Sequence, residues 1–247
     1  MTTIILPAYN EEQSLPQLFA SIRRSLDEAG GDYRIVLVND GSQDRTGEVA
    51  RAHGGDLPLR VVDHERNQGL GVALKTGLEV ALADAADDDA IVTLDADNTH
   101  SPELIAQMIS ALDEDQRDVV IASRFAPGGR EVGLSTRRKI MSRGASFLMR
   151  LFFPVEGARD YSCGFRAYRA GILKRGLEHY AGGLIQETGF ACMAEILVKL
   201  AQIGARIAEV PMVLRYDLKS GASKLEAWKA IRRYLYLFAH RRRLLSR

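Results

Sequence analysis

Apolar residues in this chain fall into short unbroken runs, separated by longer stretches in which they recur at helical spacing. "TTIILPAY", "YRIVLVND", "LRVVDH", "AIVTLDAD" and "DVVIASR" read as strands. "SLPQLFASIRRSLDEAGG" reads as a helix closed by glycines. "SQDRTGEVARAHGG" is a second helix, opened by Ser42 or Asp44, and "GLGVALKTGLEVALADAA" a third. A fourth helix follows Pro102. Continuous apolar strands alternating with amphipathic helices predict an α/β fold: a Rossmann-like, mainly parallel sheet covered by helices on both faces.

After Arg124 the rhythm changes. "FAPGGREVGLS" is loop-like, and "TRRKIMSRGASFLMRLFF" is a helix with a basic face. "DYSCGFRAYR" reads as a short strand or a loop. "ETGFACMAEILVKLAQIG" is a helix ending at Gly204, with Gln186 and Glu187 just before it. "ARIAEVPMVLRY" is a strand whose Pro211 marks an edge or a bulge. With no repeat or linker in view, residues 1–223 are expected to form one domain and residues 224–247 a basic amphipathic helix.

Composition narrows this only a little. The 247 residues are 46% hydrophobic with a net charge of +1, so nothing calls for nucleic acid. Locally the charge is uneven: Arg137 to Arg150 holds five basic residues and no acid. Such a stretch suits an anionic partner, or simply a solvated helix face. Cys163 and Cys192 stand far apart, outside any zinc or disulfide pattern, and fit a cytoplasmic setting. The N-terminus lacks the basic start and apolar core of a signal peptide. No run approaches the roughly 18 uncharged residues of a membrane span.

The chemistry gathers at strand ends, where open α/β sheets bind ligands. The first strand ends in Pro7-Ala8-Tyr9-Asn10-Glu11, the second in Asn39-Asp40-Gly41-Ser42, and the fourth in Asp95-Ala96-Asp97. Two carboxylates one residue apart repel unless something positive sits between them. A nicotinamide site is disfavoured, because the first turn, "PAYNEE", has no glycine and Gly69, Gly71 and Gly77 follow the third strand. A P-loop is absent. A nucleotide-sugar fits: Asp95 and Asp97 would grip Mg²⁺ or Mn²⁺ with its diphosphate. Tyr9 would stack on the base and Asp40 would hydrogen-bond to it. Asp97 is badly placed to cap the next helix; Thr99 or Ser101 is better placed.

"PAYNE", "VNDGSQDRT", "NQGLGVALKTG" and "DADNTHSPE" resemble the successive motifs of family 2 glycosyltransferases of the GT-A fold. "ASRFAPGG", "RRKIMSRGAS", "DYSCGFRAYR" and "GASKL" resemble the branch acting on dolichyl or polyprenyl phosphate. The resemblance runs to about Lys224. It implies that Pro7, Tyr9, Glu11, Asp40, Asp95, Ala96, Asp97 and Arg124 hold the nucleotide-sugar. Asp95 and Asp97 would bind the metal, with Thr99 as a further ligand. Arg138, Arg215, Lys219, Ser223 and Lys224 would bind acceptor and phosphates. The segment "YDLKS" before "GASKL" is longer than the mannosyltransferase pattern.

The implied reaction is an inverting transfer of a hexose, from a GDP-mannose or UDP-glucose type of donor, to a polyprenyl phosphate. Asp97, Asp160 and Arg138 would carry it, with Asp160 orienting or activating the acceptor or else only pinning its loop. Glu187 is a second acidic candidate, or a residue favouring a helix N-terminus. His100 reads as a turn residue beside Pro102. The tail from Lys224 suits an in-plane membrane helix, which places the protein at the cytoplasmic face of a membrane; packing on the domain, on a membrane-protein partner or on a second copy is the alternative. A soluble or polysaccharide hydroxyl acceptor is the rival function, and it would need a firm general base.

Overall fold

The computed structural model describes residues 1–30, 32–53, 57–114 and 116–218, and at Glu28, Ala29, Arg137 and Arg138 the backbone alone. The expected helix over 224–247, and with it Lys219, Ser223 and Lys224, lies outside the described residues. The first half runs β1 (Thr2–Ala8), α1 (Leu15–Ala29), β2 (Tyr33–Asn39), α2 (Thr46–His53), β3 (Leu59–Asp63), α3 (Leu70–Leu82), β4 (Ala90–Thr93) and α4 (Leu104–Glu114). The second half runs β5 (Val119–Ser123), β6 (Arg130–Val132), α5 (Thr136–Phe152), β7 (Arg166–Arg169), α6 (Ala170–His179), α7 (Cys192–Gln202), β8 (Ile207–Pro211) and β9 (Val213–Arg215). A short 3-10 turn, Tyr216–Leu218, follows.

Seven strands form one sheet in the order β3-β2-β1-β4-β7-β5-β8. Every pairing is parallel except those of β7, which runs antiparallel between β4 and β5. Each residue of β4 and β5 is buried, as their unbroken apolar runs require, while edge strand β3 stays partly exposed. Pro16 sits in the first turn of α1, and Gly30 closes it in the left-handed region at φ 70°, its N–H reaching the Leu26 carbonyl at 3.1 Å. Gly77 lets α3 lie directly on β1, since a side chain there would strike Ile5. Among the described residues, no helix is long and apolar enough to cross a membrane.

Four local expectations change. The segment predicted as one strand over 205–216 is two, with β8 on β5 and β9 on β6. Met212 makes the switch: its N–H binds the Ser123 carbonyl and its own carbonyl accepts the N–H of Arg130. "FAPGGREVGLS" therefore contains a strand, β6, rather than loop alone. Helix α6 follows β7 at once and is not among the predicted elements. Helix α7 begins at Cys192, five residues after Glu187 rather than at it.

Candidate active site

The carboxyl ends of β2, β1 and β4 lie side by side. The N–H of Asp40 binds the Ala8 carbonyl at 2.8 Å, and the N–H of Leu94 binds the Ile5 carbonyl at 3.1 Å. Tyr9–Glu11, Asp40–Ser42 and Asp95–Asp97 thus leave the sheet along one rim. The first two loops are laced together. Asn10 donates its N–H to Ser42 Oγ (2.9 Å), Gln43 donates to Asn10 Oδ1 (2.8 Å), and Glu11 donates to Thr46 Oγ1 (2.7 Å). Asn10 adopts φ 54°, a conformation asparagine tolerates better than most residues. Pro7 and Tyr9 are half-buried. Glu11 is buried, and its carboxylate accepts the Ser14 hydroxyl at 2.9 Å.

Asp40 is hydrogen-bonded through both carboxylate oxygens. Its Oδ1 meets His64 Nδ1 at 2.7 Å and accepts the Gln68 N–H at 2.9 Å, while Oδ2 accepts the Gly69 N–H at 2.8 Å. Both oxygens therefore hold the 64–69 loop that leads into α3.

Asp95 and Asp97 stand at the tip of β4, both partly exposed, with Ala96 buried between them. Thr99 is buried and donates its N–H (3.2 Å) and its hydroxyl (2.6 Å) to Asp97 Oδ1. Its visible task is thus to aim Asp97. Gly164 lies against Asp95: a Cβ there would sit 2.9 Å from Oδ1. The Gly164 carbonyl accepts the Thr93 hydroxyl at 2.6 Å, tying this glycine to β4. His100 is buried beside Phe165, and its Nδ1 makes no hydrogen bond while pointing to Asp95 Oδ2 at 4.0 Å. The arrangement fits a hard divalent cation. Two carboxylates supply oxygen ligands, and Mg²⁺ typically takes one or two of these plus phosphate oxygens and waters. Among the described residues, no group of three or more His, Cys, Asp or Glu could hold a metal alone. Asp95 and Asp97 would therefore supply only part of such an ion's ligands.

Arg124 and Asp160 pair with each other. Arg124 Nε and Nη2 each donate to the carboxylate at 2.7 Å, and Nη2 also reaches Ser162 Oγ at 2.7 Å. Asp160 further accepts the N–H groups of Arg124, Ser162 and Cys163, and is 0% exposed. Burial pushes its pKa up, but the charge and hydrogen bonds of Arg124 outweigh this and hold it below the usual carboxylate range. Such an acid is a poor proton acceptor. The Cys163 thiol is pushed up to about 12, first by burial and then by Asp160, and is inert. From below, Glu209 on β8 accepts the N–H groups of Arg159 and Asp160 at 2.6 and 2.7 Å. Arg124 Nη1 faces Glu131 on β6 (3.5 Å) and Ser142 on α5 (3.4 Å). The backbone of Arg138 lies in the first turns of α5. Arg215 is paired with Asp217 at 2.8 Å, and its N–H binds the Thr99 carbonyl at 3.0 Å, which ties β9 to the Asp97 loop.

A buried ion pair fixes segment 183–188, and sequence reasoning missed it. Lys199 Nζ meets Glu195 Oε1 at 2.6 Å, with exposures of 3% and 1%. Glu195 Oε2 accepts the N–H groups of Gln186 and Glu187, and Lys199 donates to the Gly183 carbonyl. The pinned 183–188 segment lies against Gly69 and Gly71, where any side chain would strike Thr188 or Glu187. Glu195, Lys199 and Glu209 carry no motif, and Gly164, though inside "DYSCGFRAYR", is not singled out as a site residue. An i,i+4 Glu–Lys pair alone reads as a solvated helix face.

The glycosyl transferase family 2 pattern matches residues 3–177. The chain belongs to glycosyl transferase family 2. This family 2 glycosyltransferase is 33% identical over 234 residues to a dolichol-phosphate mannosyltransferase of Pyrococcus furiosus, spanning 94% of the present chain but only 61% of that relative. It is 32% identical to an undecaprenyl-phosphate mannosyltransferase of Micrococcus luteus, covering 90% of this chain and 86% of the other. A polyprenol monophosphomannose synthase of Mycolicibacterium smegmatis is 30% identical, with 91% and 80% covered. Among solved structures, glucosyl-3-phosphoglycerate synthase of Mycobacterium tuberculosis in complex with Mn²⁺, UDP and phosphoglyceric acid superposes with a TM-score of 0.70 at 21% identity. That match covers 98% of this chain and 78% of the other, and it shows the shared GT-A fold. The same enzyme with Mg²⁺ and UDP gives a TM-score of 0.68 at 21% identity, over 98% and 79% of the two chains.

Proposed function

We propose that this family 2 glycosyltransferase moves a hexose, with inversion, from a nucleotide-sugar to a polyprenyl phosphate, with Mg²⁺ or Mn²⁺ at Asp95 and Asp97. The carrying observation is the carboxylate pair at the tip of β4, on the same rim as the loops after β1 and β2. The activities for which the mannosyltransferase relatives are named support the acceptor class. The Mn²⁺ and Mg²⁺ complexes of the structural neighbour support the cofactor. When bound, the cation would neutralise the departing diphosphate.

The chain's own residues then do three things. Thr99 fixes Asp97, and Gly164 leaves room for Asp95. Tyr9 and the laced loops around Pro7 and Glu11 form the nucleoside side of the rim. The Arg124–Asp160 pair holds the loop that carries Gly164, so Asp160 acts as a positioning residue. This bears on the acceptor. A hydroxyl acceptor needs a base, and a carboxylate that is fully buried, ion-paired and lowered in pKa is badly suited to be one. A phosphate oxygen is already ionised at neutral pH and needs only positioning and charge neutralisation. Arg138, Arg215, Lys219 and Lys224 are proposed to supply that charge and Ser223 a hydrogen bond, at the cytoplasmic face of a membrane.

The test is a radiolabelled-donor screen. GDP-mannose, UDP-glucose and related donors are each mixed with a polyprenyl phosphate and Mn²⁺ or Mg²⁺, and organic-phase label is counted. Label in the lipid with one donor is the expected result. Metal-dependent donor binding with label only in water-soluble products would overturn the lipid acceptor and point to the hydroxyl reading.

A further inference from the structure

His100 is a polar ring that the fold buries without a hydrogen bond for Nδ1. The residue is 5% exposed, although it stands in the connection between β4 and α4, where the sequence reads as a turn. A turn histidine at the surface would leave its ring nitrogens to water. Here Nδ1 has no hydrogen-bond partner, and Asp95 Oδ2 stands 4.0 Å away. That separation is about 1 Å longer than an N–H···O bond. Buried polar atoms are nearly always paired, so an unpaired one beside a candidate ligand site demands a reason.

Which partner moves decides what the two can do together. The ring is held. Its plane lies at 32° to that of Phe165, with centroids 5.4 Å apart, and Phe165 is fully buried. Thr99, the residue before it, is bound on both sides: its N–H and hydroxyl reach Asp97 Oδ1, and its carbonyl accepts the N–H of Arg215. Asp95 is looser, with a side chain 33% exposed against 4% for His100. The gap therefore closes by rotation of the carboxylate toward the ring. What Nδ1 faces also settles where the ring carries its hydrogen. A bare nitrogen would set a lone pair against a carboxylate oxygen, which only accepts, whereas an N–H donates to it.

We propose that His100 is a positioning residue for Asp95. Its Nδ1–H donates to Oδ2 when Asp95 turns its other oxygen to the cation. One carboxylate of the pair is then aimed by His100 and the other by Thr99. Carboxylates that hold metals are themselves held by hydrogen bonds, and these outer partners set direction and affinity. A ligand role for the ring itself is disfavoured, because no group of three His, Cys, Asp or Glu among the described residues could hold a metal.

The assignment rests on the metal reading of Asp95 and Asp97, and its test separates the two. The full parent chain, H100F, H100N and H100Q are each titrated with GDP and with UDP by calorimetry, in saturating Mn²⁺ and without metal. The amide nitrogen of asparagine stands nearly where Nδ1 stands, and that of glutamine where Nε2 stands. H100F should lose about tenfold or more in Mn²⁺-dependent affinity, H100N should come within about threefold of the parent, and H100Q should be as weak as H100F. H100N and H100Q remove the same ring, so lost packing weakens both alike and the difference between them reads Nδ1 alone. Equal affinities in H100N and H100Q, or an undiminished H100F, overturn the assignment and leave the metal reading standing. A parent chain whose GDP and UDP affinities ignore Mn²⁺ overturns the metal reading, and the assignment falls with it. In a second measurement, echo-modulation spectra of bound Mn²⁺ are recorded on chain isotopically labelled in its histidine nitrogens. They should show no directly bound nitrogen; a coupling of that kind would make His100 a ligand and overturn the positioning role.

Discussion

Asp95 can occupy its place only because residue 164 has no side chain. A Cβ at Gly164 would lie 2.9 Å from Asp95 Oδ1, and the atom that must yield is the end of a rotatable carboxylate. Gly164→Ala should therefore keep the fold and turn Asp95 away. The expected outcome is at least a tenfold weaker, Mn²⁺-dependent affinity for a nucleoside diphosphate, read by titration calorimetry, with an unchanged thermal midpoint. Thr99 gives a second test on the neighbouring carboxylate. Its hydroxyl donates to Asp97 at 2.6 Å, and losing a group that orients a metal-binding carboxylate typically costs about 10- to 100-fold in affinity. Thr99→Val should show that loss in Mn²⁺ binding, and Thr99→Ser should recover it. Equal affinities for the two variants would assign Thr99 to packing alone. Asp95, Asp97 and Thr99 are legible in sequence because one strand tip carries them all. Gly164 is not, because it reaches Asp95 only after β7 has run antiparallel beside β4.

Among the elements, α7 does more than cover the sheet. Its Glu195 and Lys199 form a buried pair that fixes segment 183–188 against the start of α3. Removing one partner strands the other charge inside the protein, which typically costs about 3–5 kcal/mol. Glu195→Gln should lose about that much in urea unfolding, whereas Glu195→Leu with Lys199→Met should recover most of it. If the double variant proved as unstable as the single one, the hydrogen bonds to Gln186 and Glu187 would be the larger contribution. The elements that sequence foretold, β1 to β5 with α1 to α5 and α7, are those with a readable apolar run or period. The misses share a different cause. Strands β6 and β9 are three residues each and depend on each other across a long separation, so neither has a period to read. Helix α6 has an apolar face in Ile172, Leu173 and Leu177, but it abuts β7 without a break and so offers no boundary to read.

For the whole molecule, the Arg124–Asp160 pair joins parts of the fold that are remote in sequence. It reaches β6 through Glu131, α5 through Ser142, and β8 through the Glu209 bonds beneath Asp160. Sequence marked both residues as ligand-facing candidates. It could not show that they neutralise each other, because the pairing spans the change from the parallel half of the sheet to β7. The consequence is a pH dependence of stability. Asp160 is lowered in the folded chain: burial opposes ionisation, and the charge and hydrogen bonds of Arg124 override it. A carboxyl group lowered on folding contributes its full stability above its unfolded value of about 3.9, and loses it as pH falls through the folded value. Asp160→Asn abolishes that ionisation and leaves Arg124 buried. At pH 7 the variant should be less stable by about 3–5 kcal/mol, a drop in thermal midpoint on the order of 10 °C for a chain of this size. Below about pH 4 the two midpoints should converge, because the parent loses its advantage as Asp160 gains a proton. Thermal melts of both chains from pH 7 to pH 3 measure this directly. Midpoints that stay a constant distance apart across that range would mean that the ionised pair is not what holds these elements together.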